Sequence, residues 1–144
     1  QRPKSPQLEH MAACIAQSLP CPVGVTERYA KALSCPVFLS PPPVNKALAD
    51  YIAPWKSRGI FLEIAPDCVA ITVTEHGSQT APIPTQENLP LVDRRLRCHY
   101  NVEVFADRAV FTICRYRTDL QSLVQDAEQL GVLGCVGLYG ELHN

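Results

Sequence analysis

The spacing of apolar residues changes near residue 58, and this change constrains the fold more than any other feature of the chain. Before residue 58, apolar residues recur every three or four positions, as in Leu8, Met11, Ala12, Ile15 and Leu19. After it they alternate with polar residues, as in Leu96, Cys98, Tyr100, Val102 and Val104. A period of 3.6 indicates an amphipathic helix, and a period of two indicates a strand with one buried face. The sequence therefore predicts helices first and a sheet afterwards.

Proline residues divide the first part into three short predicted helices. Ser5 and Pro6 suit the cap and the first position of the first helix, which Pro20 and Pro22 end. Thr26 is a candidate cap for the second helix. The apolar residues of the second and third helices are Tyr29 and Leu33, then Val44, Leu48, Tyr51 and Ile52.

Two segments of the second part, residues 62–73 and 102–113, follow the same pattern. Each begins with alternating residues, reaches a turn that contains Asp67 or Asp107, and continues with alternating residues. Aspartate favours turns because its side chain bonds to the local backbone. The pattern therefore predicts two antiparallel hairpins, and each shared residue has a structural role in such a hairpin. We interpret the likeness as two similar hairpins rather than as a duplicated active site.

The hairpin turns also predict which residues lie opposite each other. Two-residue tips place Leu62 opposite Ile71 and Val102 opposite Phe111. Between the hairpins, Ala81–Pro90 contains several prolines and is predicted to be a loop with at most a short edge strand.

A helix and a final strand are predicted after the second hairpin. Thr118 with Gln121 has the spacing of a capping box, and Gly131 is a suitable end for the helix. The segment VLGCVGLY that follows predicts a last, buried strand. We therefore expect an α+β fold: short helices in the N-terminal half, then a mainly antiparallel sheet of two hairpins and a last strand, packed against a C-terminal helix.

Length and composition bound the kind of protein. A chain of 144 residues suits one domain, residues 1–144, with a helical part at 1–57 and a sheet-plus-helix part at 58–144. Because 47% of residues are hydrophobic, the chain can form a packed core. The net charge of −1 makes nucleic acid an unexpected partner, and no apolar run is long enough to span a membrane.

Signatures of common catalytic and cofactor sites do not occur in the chain. It has no Cys-x-x-Cys, Walker A, Gly-x-Ser-x-Gly or His-Glu-x-x-His motif. His10 and Cys14 would share one face of a helix, but a zinc site needs four ligands, usually supplied by closely spaced pairs. The sequence therefore predicts no enzymatic activity, no cofactor and no metal site.

Arginine is concentrated around the second hairpin. The candidate partner-binding residues are Arg94, Arg95, Arg97, His99, Arg108, Arg115 and Arg117. Alternation places Arg95, Arg97 and His99 on one face of a strand. Such a strip suits a phosphate, RNA or an acidic peptide, whereas charge on an edge strand also prevents aggregation without any ligand.

Three functions remain open from the sequence. The first is a non-catalytic protein–protein interaction or assembly domain of a larger intracellular protein, in the cytoplasm or nucleus. The second is a secreted or cell-surface module held by disulfides, because the chain is rich in cysteine, with seven residues of this type. The third is a weak binder of RNA or of a phosphorylated ligand that uses the arginines. We favour the first, since several cysteines occupy positions typical of buried, unpaired thiols.

Overall fold

The structure is a computed structural model that describes residues 6–18, 24–30, 35–138, 140 and 142. The helices in this part of the chain are α1 (Pro6–Ser18), α2 (Glu27–Ala30), α3 (Leu48–Ile52) and α4 (Arg117–Gln129), with a 3-10 helix at Ala53–Trp55 after α3. The strands are β1 (Val25–Thr26), β2 (Val37–Leu39), β3 (Ile60–Glu63), β4 (Asp67–Thr74), β5 (Gly77–Pro82), β6 (Leu91–Asp93), β7 (Cys98–Val104), β8 (Arg108–Arg115) and β9 (Gly134–Val136). The predicted α+β class is confirmed, with short N-terminal helices, an antiparallel sheet and a C-terminal helix.

The three predicted N-terminal helices are present as α1, α2 and α3. Pro6 is the first residue of α1, and Thr26 precedes α2. Val44 lies before α3 rather than in it, and it is buried with residues of the antiparallel sheet. The predicted cap, helix ends and apolar positions at Ser5, Leu19, Pro20, Pro22 and Leu33 lie outside the described residues.

A four-stranded parallel sheet, in the order β1-β2-β3-β9, is the feature that the sequence did not predict. Its strands β1 and β2 belong to the part expected to be purely helical, and they are only two and three residues long. Strands this short do not display a measurable period of two. The helix α3 connects β2 to β3, which run parallel, as is usual for a crossover through a helix.

The predicted pairing of the first hairpin is wrong. Leu62 of β3 lies opposite Leu39 and Cys135 in the parallel sheet, not opposite Ile71. Asp67 is the first residue of β4 and lies opposite Arg115, so it does not form a turn between paired strands. Alternation identifies a strand but not its neighbour, and two successive strands can belong to different sheets.

The antiparallel sheet has five strands in the order β5-β4-β8-β7-β6 and is inserted between β3 and β9. The predicted second hairpin is confirmed here, because Val102 of β7 lies opposite Phe111 of β8. An edge strand was expected at most within Ala81–Pro90, but β5 begins earlier, at Gly77, and pairs with β4. On one face of this sheet, Val44, Cys98 and Ile113 form a small apolar cluster.

The helix α4 packs on the parallel sheet and contributes to the main core. Leu120, Leu123 and Ala127 of α4 are buried in the same cluster as Leu39 and Leu62. The helix begins one residue before the predicted Thr118, and it ends before Gly131, whose φ of +82° suits glycine.

The final strand, β9, is present but is not buried as predicted. It lies at an edge of the parallel sheet, where Val136 is 49% exposed.

Candidate functional site

The structure divides the predicted arginine strip between the two ends of the antiparallel sheet. Arg108 and Arg115 are the first and last residues of β8, which places their Cα atoms about 24 Å apart at 3.4 Å per residue. Arg94, Arg95 and Arg97 lie in the β6–β7 turn at the end occupied by Arg115. Arg117 begins α4 at this same end, and His99 is near it, so only Arg108 is remote.

Arg97 is held by an acidic residue of α4. Its guanidinium donates two hydrogen bonds to the carboxylate of Asp126, at 2.7 and 2.9 Å. The hydrogen bond to Asp126 raises the pKa of Arg97. Arg97 has a φ of +53°, so it belongs to a turn rather than to the alternating strand expected from the sequence. Its charge is therefore matched within the chain.

Arg95 forms a second ion pair, beside a shallow cavity. Its guanidinium lies 3.1 Å from the carboxylate of Asp50 in α3. The cavity has a volume of about 260 Å³ and is lined by Ala47, Leu48, Ala49, Asp50, Arg95, Asp126, Gln129 and Leu130. This volume is slightly below the range typical of small-molecule sites.

Arg115 has a structural position. It is 2% exposed, and its guanidinium donates to the backbone carbonyls of Pro42, Leu96 and Arg97 at 2.7, 2.8 and 3.2 Å. Burial lowers its pKa. Because Arg115 is buried and three backbone carbonyls accept hydrogen bonds from its guanidinium, it is not available to a partner.

The remaining arginines of the predicted strip, Arg94, Arg108 and Arg117, are exposed. Arg94 and Arg117 have no partner among the residues that the structure describes. Arg108, at the other end of the sheet, lies 3.2 Å from Asp107 and stacks 4.5 Å from the ring centroid of Phe105. The free positive charge of the predicted strip is thus much smaller than its arginine count indicates.

A histidine–aspartate pair lies where β7 meets α4. His99 Nδ1 is 2.9 Å from Asp119 Oδ2, and the same carboxylate oxygen accepts the backbone N–H of Tyr116 at 2.8 Å. Because a carboxylate only accepts, Nδ1 is assigned as the donor of this hydrogen bond, and Nε2 is not engaged by Asp119. Sequence reasoning included His99 but missed Asp119. The available signal for Asp119 was its position in the first turn of a predicted helix. A carboxylate there indicates helix capping and says nothing about a histidine partner.

The ring of Tyr116 extends this site to the loop after β5. It lies 4.9 Å from the ring of His99, centroid to centroid. Its hydroxyl donates to Gln86 O at 2.5 Å and accepts the N–H of Leu89 at 3.3 Å. Tyr116 therefore holds residues 86–89 against the end of the sheet where His99 lies.

Two cysteines join neighbouring strands next to this histidine. Cys68 of β4 and Cys114 of β8 lie opposite each other and form a disulfide. Cys114 also lies opposite His99 of β7. The sequence favoured buried, unpaired thiols at such positions, and for Cys68 and Cys114 this expectation is wrong. The bridge could not be predicted because it depends on the pairing of β4 with β8.

Four further cysteines are free thiols in the described ranges, namely Cys14, Cys35, Cys98 and Cys135. Burial raises the pKa of Cys98 to about 11 and also raises the pKa of Cys135. Both thiols are therefore poor nucleophiles at neutral pH. His10 and Cys14 share one face of α1 as expected, with Nε2 and Sγ 3.7 Å apart.

Among the residues that the structure describes, the outer edge of β5 is the longest strand edge of the antiparallel sheet with no strand beside it. All six residues of Gly77–Pro82 are exposed and none is charged. The Cα atoms of Cys68 and Cys114 are 4.1 Å apart, the spacing of a non-hydrogen-bonded pair, so the backbone of Cys68 points towards β5. Counting along the ladder, Gln79 and Ala81 bond to β4, whereas Ser78 and Thr80 direct both N–H and C=O outwards.

Comparisons of the chain with protein-family models, with curated proteins and with solved structures find no match. Within the described residues, no helix has the length and apolar character needed to cross a membrane.

Proposed function

We propose that this chain is a non-catalytic domain that binds another protein by strand addition at β5. The observation that carries the proposal is the outer edge of β5, where the backbone groups of Ser78 and Thr80 have no strand beside them in the described part of the chain. Proteins usually protect such an edge with charged residues, prolines, bulges or a covering segment. In β5 the only such residue is Pro82, at its end.

The adjoining sheet face indicates the chemistry of the added strand. Thr80 lies opposite Ile71, which in turn lies opposite Phe111, so these side chains form one row across three strands. Ile71 and Phe111 are only partly buried. An extended, uncharged segment with apolar residues at alternate positions would continue this row and cover it.

A backbone substitution tests this proposal. Thr80→Pro removes an outward N–H and places a ring at the edge, while the β4–β5 hydrogen bonds made by Gln79 and Ala81 remain. Thr80→Ala is the matched control, because it changes the side chain and keeps the N–H. We expect a partner captured by the wild type and by Thr80→Ala to bind at least ten-fold more weakly to Thr80→Pro.

Three measurements decide the result. Circular dichroism shows whether both variants fold alike, quantitative mass spectrometry compares the proteins captured by the three forms, and amide exchange at Ser78 and Thr80 should slow when the partner binds. Equal capture by Thr80→Pro and Thr80→Ala would exclude strand addition at β5. If the protein self-associates and Thr80→Pro, but not Thr80→Ala, abolishes this self-association, then the strand added at β5 comes from a second copy of the chain.

The arginine strip is a weaker candidate for partner binding. It retains Arg94 and Arg117 as exposed cations without a described partner, whereas Arg95, Arg97 and Arg115 bind groups of this chain. The placement inside a larger intracellular protein also stays a prediction, as does the alternative of a secreted module. Counting thiols by alkylation in the protein taken from its native source separates these two.

A further inference from the structure

One row of side chains across the antiparallel sheet combines a disulfide with an oriented imidazole. Cys68, Cys114 and His99 occupy directly opposite positions on β4, β8 and β7, so their side chains are on the same face. Directly opposite residues have Cβ atoms about 4.5–5.5 Å apart, so the side chains of His99 and Cys114 are neighbours across the β7–β8 pair. Asp119 orients that imidazole through Nδ1.

We propose that Cys68 and Cys114 form a redox-active disulfide that exchanges with dithiols, with His99 supplying and receiving the proton of Cys114. Exchange at a disulfide is faster when a neighbouring group stabilises the leaving thiolate. His99, held by Asp119, is placed to do this, and the proposal is independent of partner binding at β5.

The positions of the two sulfurs indicate which one is attacked. Both cysteines are buried, with Cys68 3% and Cys114 0% exposed, but Cys114 is in the central strand, whereas Cys68 follows the exposed Asp67 at the start of β4. Ile83, the first residue after β5, donates its N–H to the carbonyl of Cys68 at 3.0 Å. The loop that follows is held by the hydroxyl of Tyr116, so release of this loop opens a route to Cys68.

Exchange with a dithiol reduces Cys68 and Cys114 to two thiols in two steps. A thiolate of the dithiol attacks Sγ of Cys68, a mixed disulfide forms, and the bond to Cys114 breaks with its electron pair on Cys114. The imidazolium of His99 gives its Nε2 proton to that sulfur. The second thiol of the dithiol loses its proton to His99 and displaces Cys68, which takes up a proton from solvent. Two electrons pass to the protein, and the dithiol leaves as a cyclic disulfide.

Four single variants of the full chain test the roles of His99 and Tyr116. His99→Gln removes the proton donor, and His76→Gln is its control, because His76 is exposed beside Glu75. Tyr116→Phe releases the loop, and Tyr100→Phe is its control on the opposite face of the sheet. A destabilised variant exposes its disulfide more often and is reduced faster, so a slower reduction cannot come from destabilisation.

The measurement is reduction by dithiothreitol at pH 7 without denaturant, quenched by alkylation and read by mass spectrometry of the Cys68 and Cys114 peptides. We expect a rate proportional to the dithiothreitol concentration, slowed at least ten-fold by His99→Gln, raised several-fold by Tyr116→Phe and unchanged in both controls. The proposal is overturned if His99→Gln reacts as fast as His76→Gln or if the rate is independent of dithiothreitol. Failure of the two cysteines to form a disulfide under oxidising conditions would also overturn it.

Discussion

Replacement of Arg115 tests how the antiparallel sheet is tied to the segment before α3. Arg115→Met removes the donors to the carbonyls of Pro42, Leu96 and Arg97. Pro42 is buried, so its carbonyl loses its partner at a cost of about 1–3 kcal/mol. The other two carbonyls belong to partly exposed residues, where water replaces the donor and about 1 kcal/mol is lost at each.

Methionine recovers part of this loss, because it avoids the desolvation of a guanidinium whose pKa burial lowers. We therefore expect Arg115→Met to lower the free energy of unfolding by about 2–4 kcal/mol. The free energy of unfolding of Arg115→Lys should lie between those of the wild type and Arg115→Met, since one ammonium cannot reproduce the planar guanidinium that meets three carbonyls.

Urea unfolding followed by circular dichroism at pH 7 measures this effect. Arg94→Met is the matched control, because Arg94 is exposed and has no partner in the described part of the chain; it should change stability by less than about 0.5 kcal/mol. A difference of less than about 1 kcal/mol between the two variants would refute the view that these three hydrogen bonds stabilise the fold.

Two further predictions concern alkaline pH and glycine packing. The pKa of Cys98 is raised by burial from 9.0 to about 11, so the unfolded chain releases this proton first and stability should fall as pH rises between these values. The free energy of unfolding of Cys98→Ala should therefore fall by roughly 2 kcal/mol less than that of the wild type across this pH window. Urea midpoints measured against pH test this, and parallel curves for the two proteins would contradict it. A Cβ on Gly137 would lie 2.9 Å from the backbone oxygen of Ile64, whereas one on Gly134 meets only ordinary contacts at 3.5 Å. Gly137→Ala should therefore cost about 1–3 kcal/mol more than Gly134→Ala in thermal unfolding, and equal stability would show that the chain adjusts freely.

Local sequence pattern predicted the strand pairing of one expected hairpin but not of the other. The pairing of Val102 with Phe111 was predictable, because a short turn brings adjacent strands together and leaves little freedom of register. The same reasoning failed for Leu62, which pairs with Leu39 and Cys135 from distant parts of the chain. Parallel pairing needs a long crossover, and no local signal states which strands it joins.

The candidate sites show the same limit. Arginine enrichment around the second hairpin was visible in the sequence, but the carboxylates that bind Arg95 and Arg97 come from α3 and α4. An ion pair between residues far apart in the chain depends on how the helices pack. Counting arginines in the sequence therefore overestimates the unpaired positive charge of the strip.

The sequence by itself determined the α+β class, the second hairpin and the buried face of α4, because periodicity and turn residues act within a few positions of each other. Only the tertiary structure decided that β3 joins a parallel sheet, that Cys68 meets Cys114 and that Asp119 orients His99. Each of these contacts joins elements that the chain separates by many residues. Their formation depends on how whole elements bury their apolar faces together, and no single segment encodes that arrangement.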